Sequence, residues 1–216
     1  MKDTYRHKGL RKKLVEELEQ KGIEDKKVLK AIEILPRHYF LDIAFEEWAY
    51  TDKAFPIGNE QTISQPYTVA FQTILLNPQR REKILEIGTG SGYQAAILAL
   101  LGARVYTVER QEMLYKKTKA LLSKLEVGNI RQFFRDGYKG LPEYAPFDKI
   151  IVTAGAAEVP EALLKQLKVG GTLVIPVGKA QQTMLKISRK SEAEFVTEEK
   201  GGFKFVPFLK GIKKIK

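Results

Sequence analysis

Two acidic residues and three glycines carry the clearest chemical signal in this sequence. Glu86 stands two positions before Gly88, and Gly88, Gly90 and Gly92 form a G-x-G-x-G turn. Glu109 closes the next apolar run. Glycines let a backbone turn through positive φ and approach a ligand closely. A helix that starts just beyond such a turn offers unpaired N–H groups and a partial positive charge. The arrangement suits a nucleotide-like ligand. The spacing is neither the G-x-G-x-x-G of dinucleotide sites nor the G-x-x-x-x-G-K-[ST] of phosphate loops. An acid beside the turn suits a ligand with a cationic amine better than a pyrophosphate, and an acid at the end of the second strand can accept hydrogen bonds from both ribose hydroxyls. On these residues alone a dehydrogenase and a ligand-free βαβ unit stay open.

The elements that must position these residues follow from periodicity. Ile84, Leu85 and Ile87 form a short buried strand, and 94–101 is apolar enough for a buried helix. A second strand over 103–108 leads into Glu109, and a helix over 111–125 follows. A third strand, 129–134, runs into Asp136-Gly137, at the strand end where ligands bind in doubly wound sheets. Further strands are expected at 149–153, 172–176, 183–189 and 194–208, with a helix over 161–167 after Pro160 and a turn at Gly201-Gly202. Upstream, amphipathic helices over 8–21 and 26–35 end at Gly22 and Pro36. They read as an amino-terminal cap, joined to the core by an aromatic-rich connection holding Phe45, Trp48 and Tyr50. His38 in that region reads as a packed structural residue, and His7 as a residue with no specific role. Before an apolar helix over 69–76, Ser64 reads locally as a helix cap, with Pro66 in the first turn.

The chain has 216 residues, room for one large domain with a full core. There is no Cys, which excludes disulfides, thiolate metal sites and cysteine nucleophiles. No apolar run is long enough to span a membrane, and residues 1–6 lack an apolar signal region, so a cytoplasmic location is expected. The formal net charge of +11 invites an anionic partner. The basic residues are spread along the chain without an RNA-binding signature, however, so a solvated surface is the simpler reading.

The block Gln61-Thr62-Ile63-Ser64-Gln65-Pro66-Tyr67, followed by Leu85-Glu86-Ile87-Gly88-Thr89-Gly90-Ser91-Gly92-Tyr93, resembles the protein-L-isoaspartate (D-aspartate) O-methyltransferase family. The likeness continues through Asp136-Gly137, 145–148, 150–154, Gly170-Gly171, 176–178 and 205–207. The glycine turn is shared with S-adenosylmethionine enzymes of other specificity, and the T-I-S-Q-P block discriminates among them. The resemblance implies a doubly wound, Rossmann-like α/β sheet with an amino-terminal helical cap. Residues 1–60 would form the cap and connection, and 61–216 the cofactor-binding core with its carboxyl-terminal strands, all as one domain. It implies S-adenosylmethionine as cofactor, held by Glu86, Gly88, Gly90, Gly92, Glu109, Asp136 and Gly137. Ser64 is the implied catalytic residue, orienting the acceptor, with Thr62 and Ile63 in the same pocket. No metal is implied. The implied partners are damaged, isoaspartyl-containing proteins, with no specific nucleic acid and no membrane, met by a monomer. Residues 205–211, the 61–66 loop and the cap are expected to wall an open acceptor cleft. A small-molecule or RNA methyltransferase and a catalytically silent binding protein are the competing readings.

Overall fold

A computed structural model describes residues 2–215. Helix α1 (Tyr5–Gln20) starts at a capping box in which the Thr4 side chain and His7 bond each other's backbone. It buries Leu14 and Leu18. Helix α2 (Lys26–Ile34) starts at Asp25, whose carboxylate accepts from the Lys27 and Val28 amides, and ends before Pro36. Short 3-10 turns over Arg37–Phe40 and Ile43–Trp48 carry the aromatic connection. A small antiparallel pair follows, β1 (Phe55–Gly58) and β2 (Gln61–Ile63). Asn59 and Glu60 between them both have positive φ, 52° and 59°, as a type I′ hairpin turn requires. Strand β2 thus takes up the first half of the stretch expected as a loop over 61–66. Helix α3 (Pro66–Leu76) comes next.

The rest is strands and helices in alternation: β3 (Lys83–Ile87), α4 (Tyr93–Leu100), β4 (Arg104–Glu109), α5 (Glu112–Leu125), β5 (Asn129–Phe134), β6 (Phe147–Val152), α6 (Glu161–Gln166), β7 (Leu167–Val177), β8 (Gln182–Arg189) and β9 (Phe195–Phe203). The main sheet has the order β5-β4-β3-β6-β7-β8-β9. The first five of these strands pair in parallel, while β8 pairs antiparallel with both its neighbours. The chain steps outward from β3 to β5, then crosses back to β6 on the other side of β3. The crevice for a ligand in such a sheet lies at the carboxyl ends of the strands beside that reversal. Strand β3 is buried on both faces from Ile84 to Ile87, which accounts for Ile84, Leu85 and Ile87 and leaves Glu86 as a buried acid among them.

One core cluster joins the cap to the sheet layer: Leu14, Leu18 and Ile32 belong with Tyr93, Ala96 and Ile97 of α4. The cap therefore packs on the helix that follows the glycine turn. Both histidines lie in this cap. His38 is fully buried, its Nδ1 bonded to the Tyr50 hydroxyl, and its ring lies 3.9 Å from that of His7. His7 is thus no idle residue: its Nε2 also meets Glu46 Oε1 at 3.2 Å. Asp3 approaches the same pair, but both its oxygens already accept from the Arg11 guanidinium, at 2.7 and 2.8 Å.

Gly201 and Gly202 do not make the expected turn. They lie inside β9, where Gly201 has φ +95° and the register with β8 shifts between Thr183 and Leu185. The pair forms a bulge, and the hairpin reverses instead at 190–194, where Lys190 N donates to Glu194 O. Strand β9 also stops at Phe203, short of 208. From there the chain turns back across the sheet end, held by Gly155 N to Val206 O and Phe208 N to Gly155 O, both 2.8 Å.

Candidate active site

Strand β3 ends at Ile87, and the chain turns at Gly88 with φ +97°. A Cβ on Gly88 would lie 2.6 Å from the Thr153 hydroxyl oxygen, which itself donates to Gly88 O at 2.7 Å. Gly92 has φ +86°, and a Cβ there would lie 2.7 Å from Thr118 Cγ2. The turn is therefore pressed between β6's carboxyl end and α5, with no room for side chains at these two positions. Between them, Gly90 N donates to Glu109 Oε2 at 2.9 Å and Gly90 O accepts from Thr118 at 2.7 Å.

The turn forms one wall of a void of about 790 Å³, open solvent at its mouth included. Ile87, Val108, Glu109 and Thr153, at the carboxyl ends of three neighbouring parallel strands, form its floor. Thr62, Ile63 and Ser64 stand on another side, and residues 206–209 close it. Phe208 in that closing wall stacks on Tyr138 with ring centroids 4.1 Å apart. A second void shares Thr62, Ser64, Thr153 and Val206 with the first and extends past Tyr67, Phe203, Lys204 and Phe205.

Of the residues singled out in the sequence, Thr62, Ile63, Ser64, Gly88, Gly90, Glu109 and Gly137 line the first void. Glu86, Gly92 and Asp136 do not. Glu86 departs furthest from the expectation that it meets a cationic ligand. It is fully buried, because side chains alternate along a strand and Ile87 takes the face toward the void. Its Oε2 accepts from the Thr107 hydroxyl, which lies 2.7 Å from that of Thr89, and only Thr89 reaches the void. Its Oε1 has no partner. Asp136 turns its carboxylate to Tyr138 N, 3.0 Å away, and leaves Gly137 to form the wall. Gly92 acts one step behind the surface, as the first residue of the α4 cap.

Ser64 does not cap α3. The residue at that position is Gln65, and no side-chain bond closes the cap there. Helices α1 and α2 contribute nothing to either void. The wall residues Thr89, Arg110 and Thr153 are not singled out by the sequence as site residues, whereas 206–209 fall in the 205–211 stretch expected to form a wall. Thr153 alone had a signal, lying just past an apolar strand at the ligand end of the sheet.

Burial raises the pKa of Glu109, against bonds from the Gly90, Gln111 and Arg110 amides. Burial also pushes Glu86 from 4.5 to about 8, with the Thr107 hydroxyl opposing and the Glu109 charge adding to the rise. The unfolded chain releases the Glu86 proton near 4.5 while the folded chain keeps it to about 8. Stability from this group is thus complete below about 4.5 and is lost as pH climbs to about 8, by up to about 1.4 kcal/mol per pH unit. Glu86→Gln removes that dependence. The ligand-free variant is expected to be more stable than the parent at pH 8 and to lose that advantage at pH 5, as read from denaturant midpoints. A parent whose stability rises from pH 5 to 8 in step with the variant would contradict the assignment.

The donor set fits an adenosyl sulfonium ligand. The void has apolar walls in Ile63, Val69, Ile87, Val108 and Phe208. Glu109 offers a carboxylate at its edge, and each oxygen keeps acceptor capacity beyond its bond to Gly90 N or Gln111 N. The glycine cradle admits backbone contact and no side chain. A mostly parallel sheet of this order, with such a cradle at its ligand end, defines an S-adenosylmethionine-dependent methyltransferase. The family model described as protein-L-isoaspartate(D-aspartate) O-methyltransferase matches residues 9–213, and the chain belongs to that family. It is 64% identical to the protein-L-isoaspartate O-methyltransferase of Christiangramia forsetii, over 97% of this chain and 98% of that one. It is 61% identical to the enzyme of that name from Flavobacterium psychrophilum, with the same coverage. Among solved structures, a putative protein-L-isoaspartate O-methyltransferase of Plasmodium falciparum in complex with S-adenosyl-L-homocysteine superposes with a TM-score of 0.80. It is 25% identical, and the match covers 95% of this chain and 99% of that one. No helix among the described residues is long and apolar enough to cross a membrane.

Proposed function

We propose that this chain transfers a methyl group from S-adenosylmethionine to the α-carboxylate of L-isoaspartyl residues in damaged proteins, and begins their repair. The observation that carries this reading is that Ser64 lines both voids. One is the cradle built on β3, and the other continues from it past Tyr67 and residues 203–205, where an extended peptide segment has room to lie. The cofactor supplies an electrophilic methyl carried on a sulfonium ion.

The protein's share of the work is placement. An α-carboxylate with a pKa near about 3.5 is already ionised at neutral pH and needs no base. Among the described residues the charged groups lining the two voids are Glu109, Arg110 and Lys204. Glu109 is engaged with backbone amides, and both histidines lie away in the cap. The Ser64 hydroxyl donates a hydrogen bond that orients the acceptor carboxylate. Ile63, 2% exposed, helps exclude water, and Thr62 borders the acceptor. Glu109, Gly88, Gly90 and Gly137 hold the cofactor, while Gly92, Asp136 and Glu86 keep the cradle in shape from behind. Placing and desolvating a charged nucleophile accounts for a large part of such a reaction's acceleration. The backbone nitrogen then attacks the methyl ester without the enzyme, closing a succinimide and expelling methanol, and hydrolysis returns some normal aspartyl linkage.

In this reading the chain works as a single domain and a cytoplasmic monomer on protein clients, with no specific nucleic-acid partner. The test is methyl transfer from labelled S-adenosylmethionine to an isoaspartyl peptide, its aspartyl twin, a D-aspartyl peptide and RNA. Base-labile label is expected in the isoaspartyl peptide and absent from the aspartyl twin and RNA. The D-aspartyl arm shows whether the second substrate named for the family is used. Label entering RNA in preference to the isoaspartyl peptide would overturn the reading.

A further inference from the structure

We propose that Asp52 is a positioning residue for the methyl acceptor: its carboxylate clamps the 61–66 loop so that the Ser64 hydroxyl faces the junction of the two voids. The proposal rests on the isoaspartyl reading above. The Asp52 side chain is 1% exposed. Its Oδ2 accepts from Lys21 Nζ at 2.7 Å and from Gln65 Nε2 at 2.8 Å, and its Oδ1 accepts from Tyr67 N at 2.8 Å. Three segments distant in sequence thus meet on one carboxylate: the end of α1, the turn before β1, and the start of α3.

Two of those bonds fall on either side of Pro66, immediately after Ser64. Tyr67 N is among the first amides of α3, which have no partner inside the helix. Gln65, at the cap position, supplies no side-chain acceptor. Asp52 fills that role from outside the local sequence, and a negative charge at a helix amino-terminus is favourable in itself. On its other side Ser64 follows Ile63, which is paired with Phe55 in the β1–β2 hairpin. Ser64 therefore sits on a short span fixed at one end by a strand pair and at the other by the Asp52 clamp. The clamp's own segment is fixed in turn, since the buried Arg37 guanidinium donates to the Lys53 carbonyl at 3.2 Å. No bond from Asp52 touches the glycine turn.

That separation makes the role testable. Asp52→Asn keeps the shape but places an N–H donor against either Tyr67 N or the Lys21 and Gln65 donors. For an isoaspartyl peptide the acceptor KM is expected to rise about tenfold, with a smaller fall in kcat. Affinity for S-adenosylhomocysteine stays within about twofold, because the cradle is untouched. Hydrogen exchange at the Tyr67 amide is expected to quicken by about tenfold, since its acceptor is weakened. Asp25→Ala removes the cap of α2, whose bonds go to Lys27 N and Val28 N and not to the loop or to Asp52, and serves as the control for lost stability. It lowers the denaturation midpoint and leaves the acceptor KM and Tyr67 exchange unchanged. If Asp52→Asn fails to fold, Gln65→Leu, which removes one clamp bond, carries the same expectation at smaller size. Unchanged acceptor KM with unchanged Tyr67 exchange overturns the proposal. So does a loss of cofactor affinity in proportion to the loss of turnover, because that marks general damage to the fold. If the parent methylates no isoaspartyl peptide, the functional reading fails on its own, and Tyr67 exchange still decides whether Asp52 holds the loop.

Discussion

Ser64→Ala is expected to lose about tenfold to a hundredfold in turnover, while S-adenosylmethionine affinity and the denaturation midpoint stay at parent values. In the proposed mechanism the hydroxyl donates one hydrogen bond to a charged acceptor, which is worth about 1.5–3 kcal/mol, and that energy converts to this range of rate. Stability is spared because Ser64 does not cap α3, where the side-chain acceptor is the Asp52 carboxylate at Tyr67 N. Cofactor affinity is spared because the cradle is built on a different element, the turn after β3. Turnover, calorimetric affinity and midpoint measured on one preparation separate the three. A variant with parental turnover removes Ser64 from the mechanism. A variant whose cofactor affinity collapses with turnover places the residue in the cofactor site.

Gly88→Ala is expected to have the largest effect on the cofactor site. At φ +97° an alanine is strained, and its Cβ would lie 2.6 Å from the Thr153 hydroxyl oxygen. That hydroxyl cannot swing away freely, because it bonds the Ile87 and Gly88 carbonyls at 3.1 and 2.7 Å. Overpacking of this kind costs about 1–3 kcal/mol, and an incompatible φ adds to it. Moving the turn also shifts Gly90 N against Glu109. The expected result is a fall of at least about tenfold in cofactor affinity, with the free energy of unfolding lowered by about 2 kcal/mol or more. Adding Thr153→Ala removes the clash but not the strained φ, so the double variant should recover part of both losses, a coupling that a mutant cycle reads directly. Parental affinity in Gly88→Ala would show that the cradle does not need the close approach.

What the sequence disclosed was local. The strand, glycine turn and helix around Gly88 are consecutive, so periodicity and turn chemistry were enough to find them. Glu109 was legible because it ends the next strand. The hidden features depend on partners far along the chain or on which face a side chain takes. Glu86 sits in the right motif but on the wrong side of β3 to touch a ligand, a matter of strand alternation once Ile87 faces the void. The paired histidines, His7 and His38, come together only when α1 packs against the aromatic connection. Asp52 lies outside every motif, yet it reaches both Gln65 and Tyr67. Gly201-Gly202 carried the composition of a turn, but pairing with β8 drew the two residues into a bulge. The T-I-S-Q-P block disclosed the acceptor chemistry only through family likeness, because its local chemistry pointed to a helix cap that Ser64 does not form.

Gly137, in the wall of the first void, and Asp136 just behind it have a consequence for the lifetime of the enzyme itself. Asp followed by Gly is a dipeptide especially open to isoaspartyl formation, since a glycine nitrogen attacks the neighbouring carboxyl carbon with no side chain in the way. Ring closure needs that nitrogen on the same side of the Cα–C bond as the Asp Cβ, and the ψ of 114° at Asp136 turns it away. The carboxylate is engaged with Tyr138 N. Gly137 is held so closely that an added Cβ would stand 2.5 Å from Ile87 and 3.1 Å from Phe208. The packing that shapes the cofactor wall also keeps this dipeptide from the rotation that starts the damage. The rate at which the enzyme ages at its own Asp-Gly is thereby tied to how often that wall opens.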